Sequence, residues 1–316
     1  MTRAKESRVS MKTSNIERPC VVATIPVGVK PAGVAVDVHD HVFVTNSGVG
    51  GVSVINSVTN AVSATLNVGF LPESVATDPQ FGVYVANGGN FTVSALDRFH
   101  ALVATIDIGG SPFHPPPDRM RVAVDHLMGR AYVASRGLGR VSITKISSDP
   151  PALSSDFTDV EGPLGLAVDP VSHRVFVTRP DHNKVSVIDA TTHEEIGSFS
   201  VGQHPTGIAI DSQRRRVYVA NSGFKTVSLI NMATGGVSAI DVGPSPTGVA
   251  VDSHGGVYVT HPDGLVRVID PNSATVTARI PVGSHPHGLA FEPHSNRVYV
   301  ANRGDGTVSA IDLADG

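Results

Sequence analysis

Apolar and polar residues alternate along this chain in short runs, and the runs come in fours. Gly33-Val34-Ala35-Val36-Asp37 is followed by a turn, then by Val42-Phe43-Val44-Thr45-Asn46, a loop, and Val52-Ser53-Val54-Ile55. A fourth apolar stretch closes the set and ends in Val-Gly, as in Ala64 to Gly69 or Arg279 to Gly283. A period of two, broken by Gly, Pro, Asn and Asp, predicts β-strands joined by tight turns. The set restarts at a proline each time: Pro31, Pro72, Pro112, Pro163, Pro205, Pro246 and Pro286, separated by 41, 40, 51, 42, 41 and 40 residues.

Four short strands in about 40 residues is the signature of a propeller blade, whereas solenoid repeats are shorter or helical. The chain is therefore predicted to be all-β, a seven-bladed β-propeller with four antiparallel strands per blade, here called A to D from the proline onward. Val42 to Asn46, Val83 to Asn87, Val217 to Asn221 and Val298 to Asn302 read V-Y/F-V-T/A-N. In this the units resemble the YVTN family of β-propeller repeats, over residues 20–316. The resemblance implies the fold and says little of function, because such folds host many roles.

The seventh unit ends at Val308-Ser309-Ala310-Ile311-Asp312 and lacks a strand D, while Val21 to Gly28 reads like one. The N-terminal strand is predicted to complete the last blade and to cover its exposed edge. Residues 20–316 then form one domain behind a flexible tail, residues 1–19.

Composition narrows the function classes. Charged residues are 16% of the chain and the net charge is −4, with no basic stripe, which argues against nucleic acid. No apolar run approaches the roughly 18 residues that span a bilayer. The N-terminal residues are polar, and Cys20 is the only cysteine, so no internal disulfide forms. A cytoplasmic monomer or weak homo-oligomer is the expectation. Aromatics are only 5% and tryptophan is absent, which disfavours an aromatic cage or a base-stacking platform.

The seven units are also internal controls. The turn column Asp37, Asp78, Asp125, Asp169, Asp211, Asp252 and Glu292 is present in every unit and is expected to bond turn amides. The neighbouring His39, His41, His126, His173, His254 and His294 read as solvated surface. The opposite face, where strand A begins and strand B ends, surrounds the channel mouth and is the place to look for a site.

Strand B closes on Asn46, Asn87, Ser135, Arg179, Asn221, His261 and Asn302, so units three, four and six depart from asparagine. Residues before the proline are Lys30, Leu71, Gly162, His204, Ser245 and His285, and Glu73 and His287 follow theirs. Gly33, Gly165, Gly207, Gly248 and Gly288 are expected to let neighbouring backbones approach near the axis. Ser74 and Arg121 stand in that column in units two and three. Unit three also carries Ser111 to Asp118, a proline-rich extension predicted to form a stiff arm with Phe113 and His114 turned inward, and a second insertion around 147–155 on the far face.

The expected mouth thus gathers His204, His261, His285 and His287, with His114 and His182 nearby, and Lys30, Arg121, Arg179 and Glu73. Cations around one carboxylate suit a small anionic organic molecule. Two chemistries fit a lyase, isomerase or cyclase. His204, His261, His285 and His287 can hold one divalent metal ion, or either His261 or His285 can move a proton while Arg179 and Arg121 hold developing charge. No nucleophile elbow, H-E-x-x-H, C-x-x-C or phosphate-binding loop is present. The competing class is a non-catalytic interaction or ligand-binding scaffold, for which Phe70, Leu71, Phe113 and Phe224 are the only apolar anchors near the mouth loops.

Overall fold

The structure, a computed structural model, describes residues 19–110, 119–147 and 150–313. The expected tail, apart from Pro19, and the arm from Ser111 to Asp118 with Phe113 and His114 lie outside the described residues. Among the described residues, seven four-stranded antiparallel sheets are arranged as a seven-bladed propeller. Blade one runs Pro31–Val36, His41–Asn46, Gly51–Asn56 and Ala61–Asn67 as strands A to D. Blade three opens at Met120, eight residues after Pro112.

Blade seven consists of Pro286–Glu292, Arg297–Asn302, Thr307–Asp312 and, as its fourth strand, Cys20–Pro26. Ile25 stands opposite Val308 and Thr24 opposite Ser309 in an antiparallel register. Ile25 is buried in a cluster that also holds Tyr299 and Val308 of blade seven and Val42 and Val44 of blade one. The joint between chain ends is therefore packed as well as hydrogen-bonded.

Strand B carries one aromatic residue per blade: Phe43, Tyr84, Tyr132, Phe176, Tyr218, Tyr258 and Tyr299, all buried. Among the described residues the buried apolar side chains form seven clusters, and each contains one of these rings. Each cluster joins two successive blades, as Tyr84 of blade two packs with Met120 and Val133 of blade three. The period-two alternation thus serves the contact between blades, because both faces of a blade are covered.

The turn carboxylates behave as structural residues. Asp37 Oδ1 accepts from the amides of His39 and His41, Asp78 Oδ1 from Gln80 and Phe81, and Glu292 from His294 and Ser295.

At the axis, strand A of one blade touches the next through glycine. A Cβ on Gly207 would lie 2.4 Å from Thr247 O, one on Gly248 2.4 Å from His287 O, and one on Gly288 2.2 Å from Ala32 O. With Gly165 against Thr206 O and Gly33 against Ser74 Cα, these contacts run from blade four round through blade one to blade two. Blade two has Ser74 instead, whose hydroxyl accepts from Val122 N of blade three at 3.3 Å.

Two outcomes follow from this architecture. Deleting residues 1–27 exposes the edge of Thr307–Asp312, so the truncated chain should aggregate on refolding, whereas a soluble variant with unchanged Tm would contradict the closure. Gly207→Ala should destabilise by about 1–3 kcal/mol through overpacking at the axis, measured as a lower urea midpoint at constant slope.

Candidate functional site

The first residues of strand A in all seven blades enclose a cavity of about 330 Å³ at the mouth of the channel. Its wall is divided. Blades four to six contribute Leu164, Gly165, Thr206, Gly207, Thr247 and Gly248, which are uncharged. The two threonines are internally satisfied: Thr206 Oγ1 donates to Thr247 O at 3.1 Å, and Thr247 Oγ1 is 2.9 Å from Thr260 Oγ1. Blades two, three and seven contribute Glu73, Arg119, Arg121 and His287.

Glu73 is gripped from two sides. Arg121 Nη1 lies 3.7 Å from Glu73 Oε2, and Arg303 Nη2 lies 3.7 Å from Glu73 Oε1. Arg121 enters because blade three has no axial glycine, and its Nη1 donates to Met120 O at 3.0 Å. Arg303 arrives from the B–C loop of blade seven, where its amide donates to His285 O at 3.2 Å. Two guanidinium groups therefore face one carboxylate, Arg119 lines the cavity beside them, and Arg121 remains protonated although burial lowers its pKa.

His287 is held neutral at this wall. Burial, with Arg121, Arg303 and Arg119 nearby, pushes its imidazole down to about 3, opposed by Ala32 O at 3.4 Å from Nδ1. Such a group is poorly matched to proton transfer near neutrality.

The remaining histidines do not join it. His204 and His285 occupy the left-handed backbone position before the proline, at φ 54° and 50°. Their side chains are exposed on the rim, and His285 Nδ1 is 2.9 Å from Ser284 Oγ. His261 is fully buried, with Nδ1 donating to Pro244 O at 2.9 Å and Nε2 without a partner. Of the four imidazoles expected to share a metal ion, only His287 lines the cavity. Among the described residues, the clusters of three or more metal-capable donors include none of the four. Neither His261 nor His285 stands at the cavity for the expected proton transfer, because His261 faces the loop above it and His285 faces solvent.

The reason is visible in the other blades. Asn46, Asn87, Asn221 and Asn302 are buried, and each donates to the serine of strand C. Asn46 accepts from Gly28 N at 3.0 Å and donates to Ser53 Oγ at 3.0 Å, tying the D–A loop to strand C. Asn302 makes the same pair of bonds with Gly283 and Ser309. His261 takes over the bond to the loop, and Arg267 occupies the position of the serine, held by Asp263 at 2.7 Å. In blade four Arg179 fills the same position and donates through Nε to Glu161 O at 3.1 Å. His182 Nε2 reaches Glu161 Oε2 at 3.2 Å, so this pair forms a rim cluster away from the cavity.

Of the expected site residues, Glu73, Arg121 and His287 are thus brought together. Lys30 is an exposed rim residue, while Arg119 and Arg303 were missed. Arg303 had a signal: the position after the strand B asparagine is small in blades one, two and five, as Ser47, Gly88 and Ser222, and arginine in blade seven.

No family model matches the chain, and no curated protein matches it. Solved structures do. The chain superposes on Kuenenia stuttgartiensis hydrazine synthase with a TM-score of 0.76 at 18% identity, covering 90% of this chain and 96% of that one. A chain of the mitotic checkpoint complex gives 0.79 at 15% identity over 100% and 97%, and streptogramin B lyase 0.77 at 13% over 90% and 94%. At these identities the likeness establishes the fold alone: this is a seven-bladed β-propeller with a charged channel mouth. Among the described residues no helix is long and apolar enough to cross a membrane.

His261 and His287 set a pH dependence. His261, like His287, has a pKa lowered mainly by burial. Between the folded value and the ordinary value of 6.5 the unfolded chain therefore binds more protons. Stability from this source is complete above about 6.5 and is lost as pH falls. His261→Asn, which restores the residue of blades one, two, five and seven, should flatten the fall in Tm from about pH 7 to about pH 5. A fall as steep as in the wild type would show that the buried ring does not contribute.

Proposed function

We propose that the channel mouth binds a small anionic organic molecule, with Arg119, Arg121 and Arg303 facing its carboxylate or phosphate group. One observation carries this reading: Glu73 is bracketed by guanidinium groups from blades three and seven above a cavity whose opposite wall is uncharged. One carboxylate balances one of three cations, and the excess positive charge attracts an anion into a confined, low-dielectric space. Glu73 is placed to accept a hydrogen bond from a hydroxyl or amine of the same ligand.

If the ligand is turned over, proton transfer falls to Glu73, since His287 is held neutral far below the working pH of most enzymes. Guanidinium groups beside a carboxylate suit removal of a proton next to a carbonyl, with charge developing on oxygen. That is the chemistry of a lyase, isomerase or cyclase, and a propeller of similar fold is a streptogramin B lyase. No divalent metal is required by this arrangement.

Small mono- and dicarboxylates and phosphate esters, screened by thermal shift and titration calorimetry at low salt, should include binders that raise Tm. Arg303→Ala or Arg121→Ala should weaken binding by about 10- to 100-fold, the 1.5–3 kcal/mol of a charge-assisted hydrogen bond. Arg179→Ala should leave affinity unchanged. Equal binding by the first two variants, or a loss with the third, would move the site away from the mouth.

A further inference from the structure

On the face opposite the mouth, the joint between blades one and two departs from the others. Where strand B begins, blades three, four, five and seven carry Arg130, Arg174, Arg216 and Arg297. Three of these reach the C–D turn of the next blade: Arg130 donates to Ala190 O, Arg216 to Pro271 O and Arg297 to Ser57 O. Blade one has His41 in this position instead.

The turn that His41 faces has changed as well. In blades one, four, five and six the C–D turn closes through an amide four residues after its acceptor, as Asn60 N to Asn56 O and Ala274 N to Asp270 O. In blade two the turn is one residue shorter, closing from His100 N to Asp97 O at 2.9 Å. His100 takes the left-handed conformation, at φ 67°. Its ring meets that of His41 edge-on at 5.0 Å between centroids and meets buried Phe43 at the same distance.

Asp37 completes the group. Its Oδ1 accepts both turn amides, which leaves Oδ2 directed at His41 Nδ1, 3.0 Å away. One donor atom from each of Asp37, His41 and His100 lies within 4.8 Å of the other two. We propose that these three residues form a divalent transition-metal site of the zinc class that ties blade one to blade two.

Two imidazoles and one carboxylate are a donor set that zinc accepts, with water in a fourth position. Donors about 2.0–2.2 Å from zinc stand about 3.3 Å apart, so the group needs to close by no more than about 1.5 Å. Phe43 supplies an apolar floor that limits water on one side. Two ligands come from blade one and one from blade two, so the ion would do what arginine and a carbonyl do at other joints. Asp40, Glu292 and His294 also cluster, but there the two Glu292 oxygens are taken by the amides of His294 and Ser295 and by the Ser295 hydroxyl.

The repeat provides variants that should fold. His41→Arg installs the residue of four other blades, and His100→Asn installs the residue of the blade one turn. Chelator-treated full-length protein, titrated with Zn²⁺ by calorimetry, should bind one equivalent with a rise in Tm. Either variant should weaken binding by at least the ~100-fold that loss of an outer-shell partner can cause. Co²⁺ should give a visible absorption band that both variants lose. Absence of Zn²⁺ binding would overturn the assignment. So would binding that survives both variants but is lost in His294→Ala or His285→Ala. Anion binding at the mouth is read separately and does not bear on this result.

Discussion

Seven wedge-shaped sheets can surround one axis only if their innermost strands approach more closely than a Cβ permits. Glycine at the third position of strand A meets this constraint from blade four round to blade one, with the next backbone as the atom a side chain would strike. Blades two and three lack it, and that is where charge enters the channel. Ser74 bonds to its neighbour through its hydroxyl, and Arg121 projects a long side chain into the opening. The constraint that shapes the ring thus determines where a binding group has room.

The fold was legible because the repeat states it seven times. The prolines, the turn carboxylates and the V-Y-V pattern each recur, and the incomplete seventh unit matches the apolar stretch from Val21 to Gly28. The site was legible only where a residue departs from the columns that open strand A at the axis, as for Glu73, Arg121 and His287. Loop positions were not. His204 and His285 precede a proline in the left-handed region, which turns their side chains to solvent, and nothing in their spacing shows this. Arg303 meets Glu73 across blade one, a contact that only the closed ring creates.

Departures from a repeat column also have more than one cause. His261 and Arg179 stand in the same column, and both appear as functional departures in sequence. In the structure each replaces the bond to the D–A loop that asparagine makes in blades one and seven, His261 through Pro244 O and Arg179 through Glu161 O. In blade six a second substitution accompanies the repair, Arg267 standing at the serine position beside His261. The charged residues at the mouth have no such compensation, because they alter the lining of an open space. The propellers of similar fold include very different proteins, and this is expected when the scaffold and its lining vary independently.

The pairing of Cys20–Pro26 with Thr307–Asp312 carries a consequence for how the chain is made. Synthesis runs from the N-terminus and domains fold as units, so the first strand emerges long before its partner exists. Closing nearly the whole chain into a loop adds only a logarithmic entropy term, so the wait rather than the closure is the hazard. During that interval Val22, already half exposed in the finished ring, and Ile25 are presented to solvent together. A nascent chain of this kind keeps an apolar strand without its partner until the last blade is complete.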